Sequence, residues 1–289
     1  MYQLTQIDFE VFEKEKATPI MNDADVRLFL QNCNRSSLKV VSKAVEFSEI
    51  DFNAVRKWAK IDSQIRTDGK LFTSAIIDES DPRVMAIIDH AVADLKYKDA
   101  VYGPITTQCA EALVREYISP ILIAATNIAR EVKLWSEKEI CGTLATGPLD
   151  YAILYKEFYT VITEAKRDNL DSAIVQNLAQ MIASRETYLF NTNGMKRGYL
   201  DMAGQIAQVP STGIVSTGKE WILLRYYLFP EPYVMQSNPL FIPIGGISQA
   251  TTDTEPRRGV IIVVGMIVGA LKLHKDAVDA LSAAKKQKV

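Results

Sequence analysis

The chain has 289 residues, of which 48% are apolar, and its formal net charge is −2. This composition supports a hydrophobic core and excludes a disordered chain, while the near-zero charge excludes nucleic-acid binding through an overall basic field and leaves only a local patch. Three widely spaced cysteines exclude a disulfide framework and a thiolate zinc site, and favour a reducing, intracellular location.

The first hundred residues predict helices. One follows Asn22 or Asp23, and a second has Asp81 as its N-cap and Pro82 in its first turn. Between them, residues 60–74 are polar and predict a turn-rich connection. The "YGP" at 102–104 predicts a soft domain boundary, which separates a helical N-terminal region, 1–103, from a second domain, 104–289.

The second half of the chain predicts a mixture of helices and strands. A helical pattern covers 107–137, with a kink or split at Ser119-Pro120. Three consecutive short strands then cover 139–147, 148–156 and 157–166, since these stretches are rich in Thr, Tyr, Ile and Val. A helix capped by Asp168 or Asn169 follows. The expected fold is α/β, with a small mixed sheet flanked by helices.

The remaining segments predict a hairpin and a closing helix. "GIVSTGKE", 213–220, is close to a phosphate-binding P-loop but ends in Glu220 and precedes an aromatic strand pattern, so a turn at 216–219 is the better interpretation. The apolar run 259–273 is shorter than the ~20 residues that span a bilayer, so it predicts a buried helix and no membrane association. No secretory signal is visible at the N-terminus.

Candidate chemistry lies at the end of the predicted strands. Asp150 and Glu164 would lie on neighbouring strands, where two carboxylates suit a hard divalent cation such as Mg²⁺ or Mn²⁺. Lys166 lies two residues beyond Glu164, on the same face of the strand, and could orient a water molecule aimed at a phosphate. The alternative is a solvated, idle group of charges at a strand end. The two histidines, His90 and His274, give little basis for a catalytic triad or a zinc hydrolase.

The stretch "GPLDYAI…VITEAKR…AIVQNLAQM" resembles the core of the PD-(D/E)XK nuclease superfamily, which has a restriction-endonuclease-like fold. The resemblance covers about 105–273 and is strongest to the nuclease-type domains of fungal and oomycete proteins, including Crinkler-type effectors. Leu149 separates Pro148 from Asp150, whereas the family pattern has them adjacent. No Crinkler translocation header is visible.

The resemblance implies a set of site residues. Asp150, Glu164, Glu111 and the carbonyl of Ala165 would bind the metal, Lys166 would serve the attacking water, and Gln176 would be the helix glutamine near the site. From the residues alone, Glu111 could instead pair with Arg115 on the helix surface. Gln176 and Gln180 share an i,i+4 stripe that a solvated helix face would also explain.

The function expected from this resemblance is metal-dependent hydrolysis of nucleic acid, with DNA favoured over RNA. The alternative is an inactive nuclease-like scaffold that binds nucleic acid or a protein. Basic residues supply candidate nucleic-acid contacts, namely Arg167, Lys196 and Arg197. A homodimer or a protein partner through the N-terminal region, a nuclear location and delivery as an effector are further expectations.

Overall fold

A computed structural model describes residues 9–13, 16–20, 44–61, 65–67, 77–156, 158–191, 209–228, 231–245 and 254–286. By compactness the chain divides into two units, Met1–Val45 and Glu46–Val289. In the first unit, β1 (Phe9–Glu13) and β2 (Lys16–Ile20) form an antiparallel hairpin. The helix predicted after Asn22 lies outside the described residues. The functional division into 1–103 and 104–289 stays a prediction.

The described part of the second unit alternates helices with strands. The helices are α1 (Phe52–Ala59), α2 (Pro82–Tyr102), α3 (Glu111–Ala129), α4 (Leu170–Asn191) and α5 (Thr254–Lys286), and a 3-10 turn covers Phe47–Glu49. The long strands are β5 (Lys133–Cys141), β6 (Ala145–Tyr155), β7 (Phe158–Ala165), β8 (Ser211–Ser216) and β9 (Glu220–Tyr227). Short strands complete the set, namely β3 (Val45–Glu46), β4 (Arg66–Thr67), β10 (Tyr233–Gln236) and β11 (Leu240–Phe241).

These strands form one mixed sheet. Its order is β3-β6-β7-β8-β9-β10-β4, with β5 pairing to β6 and β11 to β9. The pairs β7–β8 and β10–β4 are parallel, and β5–β6, β6–β7 and β8–β9 are antiparallel. The expected α/β fold with a mixed sheet flanked by helices is therefore confirmed.

Alternating side chains of the sheet supply two separate cores. One core joins Ile153 and Val161 to residues of α2, α3 and α5. The other joins Ala152 and Ile162 to residues of α1 and α4. Because neighbouring residues of a strand point to opposite faces, helices cover both sides of the central strands, and the buried strand ends between them position the candidate site.

Several sequence predictions are confirmed locally. The Asp81 side chain accepts hydrogen bonds from the backbone N–H groups of Arg83 and Val84, with Pro82 in the first turn of α2. The Asn169 side chain accepts from Ser172 N at the start of α4. The hairpin β8–β9 turns at 216–219, where Gly218 has a φ of 81°. In the described residues no helix is long and apolar enough to cross a membrane.

The helix predicted over 107–137 was too long. It covers Glu111–Ala129 and ends where Arg130 and Glu131 adopt left-handed φ values of 54° and 59°, and 133–137 belong to β5. Of the kink or split expected at Ser119-Pro120, the split does not occur, since α3 continues through Pro120. A proline there lacks the N–H that would bind the Glu116 carbonyl, and Lys98 Nζ donates to that carbonyl instead, at 2.9 Å.

The prediction of an all-helical first hundred residues was also incomplete. The described part of this region contains α1, most of α2 and the strands β1 to β4. The strands β3 and β4 are only two residues long, which is too short for an alternating hydrophobic pattern to mark them.

Close contact between α4 and β8 fixes the helix over the sheet. A Cβ atom added at Gly213 would collide with the side-chain oxygen of Asn177 and would lie 2.9 Å from Met181 Sδ. Asn177 in turn donates through Nδ2 to the Ile162 carbonyl of β7, at 3.1 Å. The missing side chain at Gly213 therefore lets α4 approach the strand that carries Glu164.

We expect Gly213→Ala to lower the free energy of unfolding by about 1–3 kcal/mol, because the buried methyl group overpacks this contact. Chemical denaturation of the purified variant would measure the change. Adding Asn177→Ala should recover part of the loss, since it removes the colliding amide. A single variant as stable as the wild type would contradict the role assigned to Gly213.

Candidate metal and phosphate site

The antiparallel register of β6 and β7 brings the two predicted carboxylates together. Tyr151 is paired with Thr163, so the next position places Asp150 opposite Glu164. Asp150 Oδ2 accepts a hydrogen bond of 2.7 Å from the backbone N–H of Ala165. The structure therefore joins Asp150 directly to the Glu-x-Lys stretch, fifteen residues away in sequence.

Glu164 is almost fully buried, with 2% of its surface exposed, and both its carboxylate oxygens have partners. Oε1 lies 2.9 Å from Lys166 Nζ, and Oε2 accepts a hydrogen bond of 2.7 Å from Gln180 Nε2. A buried carboxylate requires such partners, since removing its charge from water is costly. Lys166 is the principal charge partner of Glu164.

Two further residues from α3 border this group. Lys166 Nζ lies 3.7 Å from Glu111 Oε1, and Arg115 Nη1 lies 3.4 Å from Asp150 Oδ1. Arg115 Nη1 also lies 3.1 Å from Glu137 Oε1. Glu111 thus contacts Lys166, directly after β7, and Arg115 contacts Asp150 of β6. The alternative expected from the sequence was an ion pair between Glu111 and Arg115 on the helix surface.

Glu137 occupies an unusual place in β5. Its φ of 51° is left-handed, and it falls between the paired positions Ser136–Tyr151 and Lys138–Leu149. A non-glycine residue in this conformation is uncommon within a strand. The irregularity lies opposite Asp150 and brings the Glu137 carboxylate to Arg115.

Burial raises the pKa of Glu164 from 4.5 to about 7, and the nearby charge of Asp150 adds to the increase. The Lys166 ammonium and the Gln180 hydrogen bond act against it. The pKa of Asp150 is also raised, chiefly by burial, while the Ala165 N–H and the Arg115 and Lys166 charges oppose the change. The positive charges of Lys166 and Arg115 therefore do not fully offset the effect of burial on the pKa values of Glu164 and Asp150.

The pKa of Lys166 is also raised, which for an amine favours the charged form. Burial acts to lower the pKa of its ammonium, but the charges of Glu164, Glu111 and Asp150 outweigh burial and raise it. The amine consequently stays protonated at neutral pH.

The residues fit a divalent cation in donor type and charge. Burial raises the pKa of both adjacent carboxyl groups by disfavouring their charged forms, and a bound cation would favour those charged forms again. Within the described ranges, no group of three or more His, Cys, Asp or Glu side chains is arranged to hold a metal. Mg²⁺ does not require such a group, because it is commonly bound through one or two carboxylates and keeps several waters.

The two glutamines of the α4 stripe make different contacts. Gln180 contacts Glu164, while Gln176 lines a groove beside Lys166 together with Glu111 and Arg167. Lys196 and Arg197 lie outside the described residues. The i,i+4 spacing of the two glutamines is visible in the sequence. No local pattern indicates which of them contacts the strand, or that Arg115 pairs with Asp150.

No protein-family model matches the chain, and no curated protein matches it at a significant level of similarity. The resemblance to PD-(D/E)XK nucleases therefore rests on the quoted motif, and membership of that family stays a proposal.

We expect Gln180→Leu to raise the pKa of Glu164 beyond about 7, because it removes a hydrogen bond that stabilises the charged carboxylate. Carbon-13 NMR of the side-chain carboxyl group would follow the titration. Gln176→Leu, on the same helix stripe, is the matched control and should leave the pKa of Glu164 unchanged. An equal response to both substitutions would contradict the assignment of Gln180.

The raised pKa of Glu164 also predicts a pH dependence of stability. The folded protein binds this proton more tightly than the unfolded chain, so the stabilising contribution is present below pH 4.5 and is lost as the pH rises through about 7. We expect Glu164→Gln to reduce the fall in unfolding free energy between pH 5 and pH 8 by about 3 kcal/mol.

Urea unfolding at several pH values would measure this difference. Glu79→Gln, at an exposed glutamate, is the control and should retain the wild-type pH dependence. Parallel pH profiles for the wild type and Glu164→Gln would show that Glu164 titrates as an ordinary carboxylate.

Proposed function

We propose that this chain is a metal-dependent nuclease that hydrolyses phosphodiester bonds and has a PD-(D/E)XK-type centre in a restriction-endonuclease-like core. The observation that supports the proposal is the adjacency of Asp150, Glu164 and Lys166, with the Ala165 N–H on Asp150 and Lys166 Nζ 2.9 Å from Glu164. An isolated motif match would not require these three residues to meet.

Asp150 and Glu164 would hold Mg²⁺ or Mn²⁺ through their carboxylates, with the Ala165 carbonyl as a further ligand. When bound, such a cation lowers the pKa of a coordinated water and stabilises negative charge on phosphate. Gln180 would fix the orientation of Glu164 through its hydrogen bond to Oε2.

Lys166 would serve as a hydrogen-bond donor and a positive charge. Its raised pKa keeps the ammonium protonated, so Nζ can orient a water molecule or a phosphate oxygen. Arg115 offers a second positive group beside Asp150, on the side of the site formed by α3. Glu111 lies near the Lys166 ammonium, on the same helix as Arg115, and would be a further metal ligand, as the resemblance implies.

A second candidate is a nuclease-like scaffold that binds nucleic acid or a protein without cutting. The observation that favours it is the pairing already present at the carboxylates, where Glu164 contacts Lys166 and Gln180, and Asp150 contacts the Ala165 N–H and Arg115. A cation would have to compete with these four donors.

The wider biological setting is also proposed. Nucleic acid is the expected partner, with DNA favoured over RNA, and the N-terminal region is the proposed surface for a second copy or a protein. An effector role and a nuclear location rest on the resemblance to Crinkler-type proteins alone.

We expect the purified protein to cleave DNA with Mg²⁺ or Mn²⁺ and to lose this activity with chelator. Asp150→Asn and Glu164→Gln should each reduce cleavage at least a hundredfold, because each removes a carboxylate ligand while the side-chain shape is kept. Asp89→Asn, which alters a surface ion pair with Arg257, is the matched control and should cleave normally.

Thermal melting with and without the cation separates the two candidates. The nuclease predicts that Mg²⁺ or Mn²⁺ raises the melting temperature of the wild type and leaves that of Glu164→Gln unchanged. A folded wild-type protein that neither cleaves nor responds to either cation would support the scaffold. Cleavage preserved in both variants would contradict the assigned site.

A further inference from the structure

A groove of about 490 Å³ opens beside the charged site. One wall is the connection from β7 to α4 and the outer face of the first turns of that helix, from Lys166 to Gln176. The opposite wall is the segment 47–52, which leads into α1, and Glu111 of α3 also lines it. The groove therefore includes Lys166, whose amine contacts Glu164.

The two walls differ in chemistry. The segment 47–52 contributes one partly exposed ring, Phe52, and the exposed Ser48, while Phe47 and Ile50 are buried. The guanidinium carbon of Arg56 lies 5.7 Å from the centroid of the Phe52 ring. The helix wall contributes the amides of Asn169 and Gln176. Asn169 uses its Oδ1 to accept from Ser172 N, so its Nδ2 is a hydrogen-bond donor at the groove. A partly exposed ring in the same groove as two amides suits a flat ligand ring with polar edges.

The charges that line the groove cancel. Lys166 and Arg167 carry positive charge, and Glu111 and Asp168 carry negative charge. A phosphate backbone alone would gain little from such a surface, because backbone binding depends on uncompensated basic groups. The balance favours a neutral part of the ligand within the groove, such as a base, which the polar and aromatic groups can contact.

The size of the groove suits one base. Its volume of about 490 Å³ is of the order that is typical of sites for small molecules. A base within a duplex is stacked on its neighbours and has its pairing edge covered, so such a groove can hold a base only when that base is unpaired.

We propose that this groove holds one unpaired nucleobase of a single strand, stacked on Phe52 and contacted by Asn169 and Gln176, next to the phosphate that passes Lys166. The choice of nucleic acid as the ligand rests on the proposed nuclease function. The groove adds the preference for an unpaired base, which the carboxylates and Lys166 do not specify.

Binding is measured without hydrolysis, by fluorescence anisotropy in chelator with labelled ten-nucleotide probes. The probes are a DNA strand, an RNA strand of the same sequence, the DNA duplex, and a DNA strand with abasic positions. We expect the wild type to bind the intact strands at least tenfold more tightly than the duplex and the abasic strand. Comparing the affinities for the DNA strand and the RNA strand shows whether the protein prefers deoxyribose or ribose.

Substitutions at Phe52 separate stacking from packing. Phe52→Leu keeps an apolar side chain and should weaken binding of the intact strand at least fivefold, while Phe52→Trp keeps a ring and should retain it. Neither should change binding of the abasic strand. Phe241→Leu, at an exposed phenylalanine on β11 outside this groove, is the control and should bind as the wild type does.

A neutral substitution on the helix wall gives an independent result. Gln176→Met removes the amide donor without adding charge and should weaken strand binding at least fivefold, whereas Gln108→Met, at an exposed position outside the groove, should not. Neither substitution changes the net charge of the protein. Circular dichroism of each variant verifies that it is folded.

Equal affinity for single strand, duplex and abasic strand would overturn the proposal, as would no binding of any probe. Equal loss in Phe52→Leu and Phe52→Trp would also overturn it. Cleavage that needs Asp150 and Glu164 but shows no preference for unpaired bases would contradict base binding in the groove and support the nuclease function. Base-dependent binding without cleavage would support base binding in the groove and the scaffold function.

Discussion

The burial of Glu164 is the constraint on which the candidate site depends. A carboxylate with 2% of its surface exposed must be compensated from within the protein. Lys166 supplies charge from the same strand, and Gln180 supplies a hydrogen bond from α4. This compensation remains incomplete, since the pKa of Glu164 is still raised to about 7. The site therefore keeps negative charge that a cation or a proton would reduce.

The fold supplies the partners of the buried carboxylates because helices pack on both faces of the same strand ends. The contact of α4 with β8 at Gly213 lets the helix lie close enough for Gln180 to reach β7. On the other side, α3 brings Arg115 and Glu111 toward Asp150 and Lys166. Acidic and basic groups consequently alternate around the site, and their charges act on the pKa values of Asp150, Glu164 and Lys166.

The same arrangement bears on both proposed functions. A nuclease would use the excess negative charge of Asp150 and Glu164 to bind a cation, and would use Lys166 as a donor to the reacting groups. A binding module would keep the existing pairs as a structural network. The neighbouring groove suits both, because a nucleobase held beside Lys166 would place its phosphate near the carboxylates in the first case and would anchor the strand in the second.

The sequence by itself determined two helix caps, the acidic motif and the presence of strands in the central region, because these depend on local chemistry. Asp81 and Asn169 cap helices through their own neighbours, and the β-branched and aromatic runs around Asp150 and Glu164 favour strands. The strand bounds were predicted wrongly, since the strand expected over 139–147 is interrupted at 142–144 and β6 continues through the boundary expected after 147. Strand alternation alone placed Glu164 and Lys166 on one face. Only the tertiary structure decided where α3 ends, that Gln180 and not Gln176 contacts Glu164, and that Arg115 lies against Asp150. Those outcomes depend on strand register, on the close approach permitted at Gly213 and on left-handed residues such as Arg130 and Glu137, none of which produces a periodic pattern along the chain.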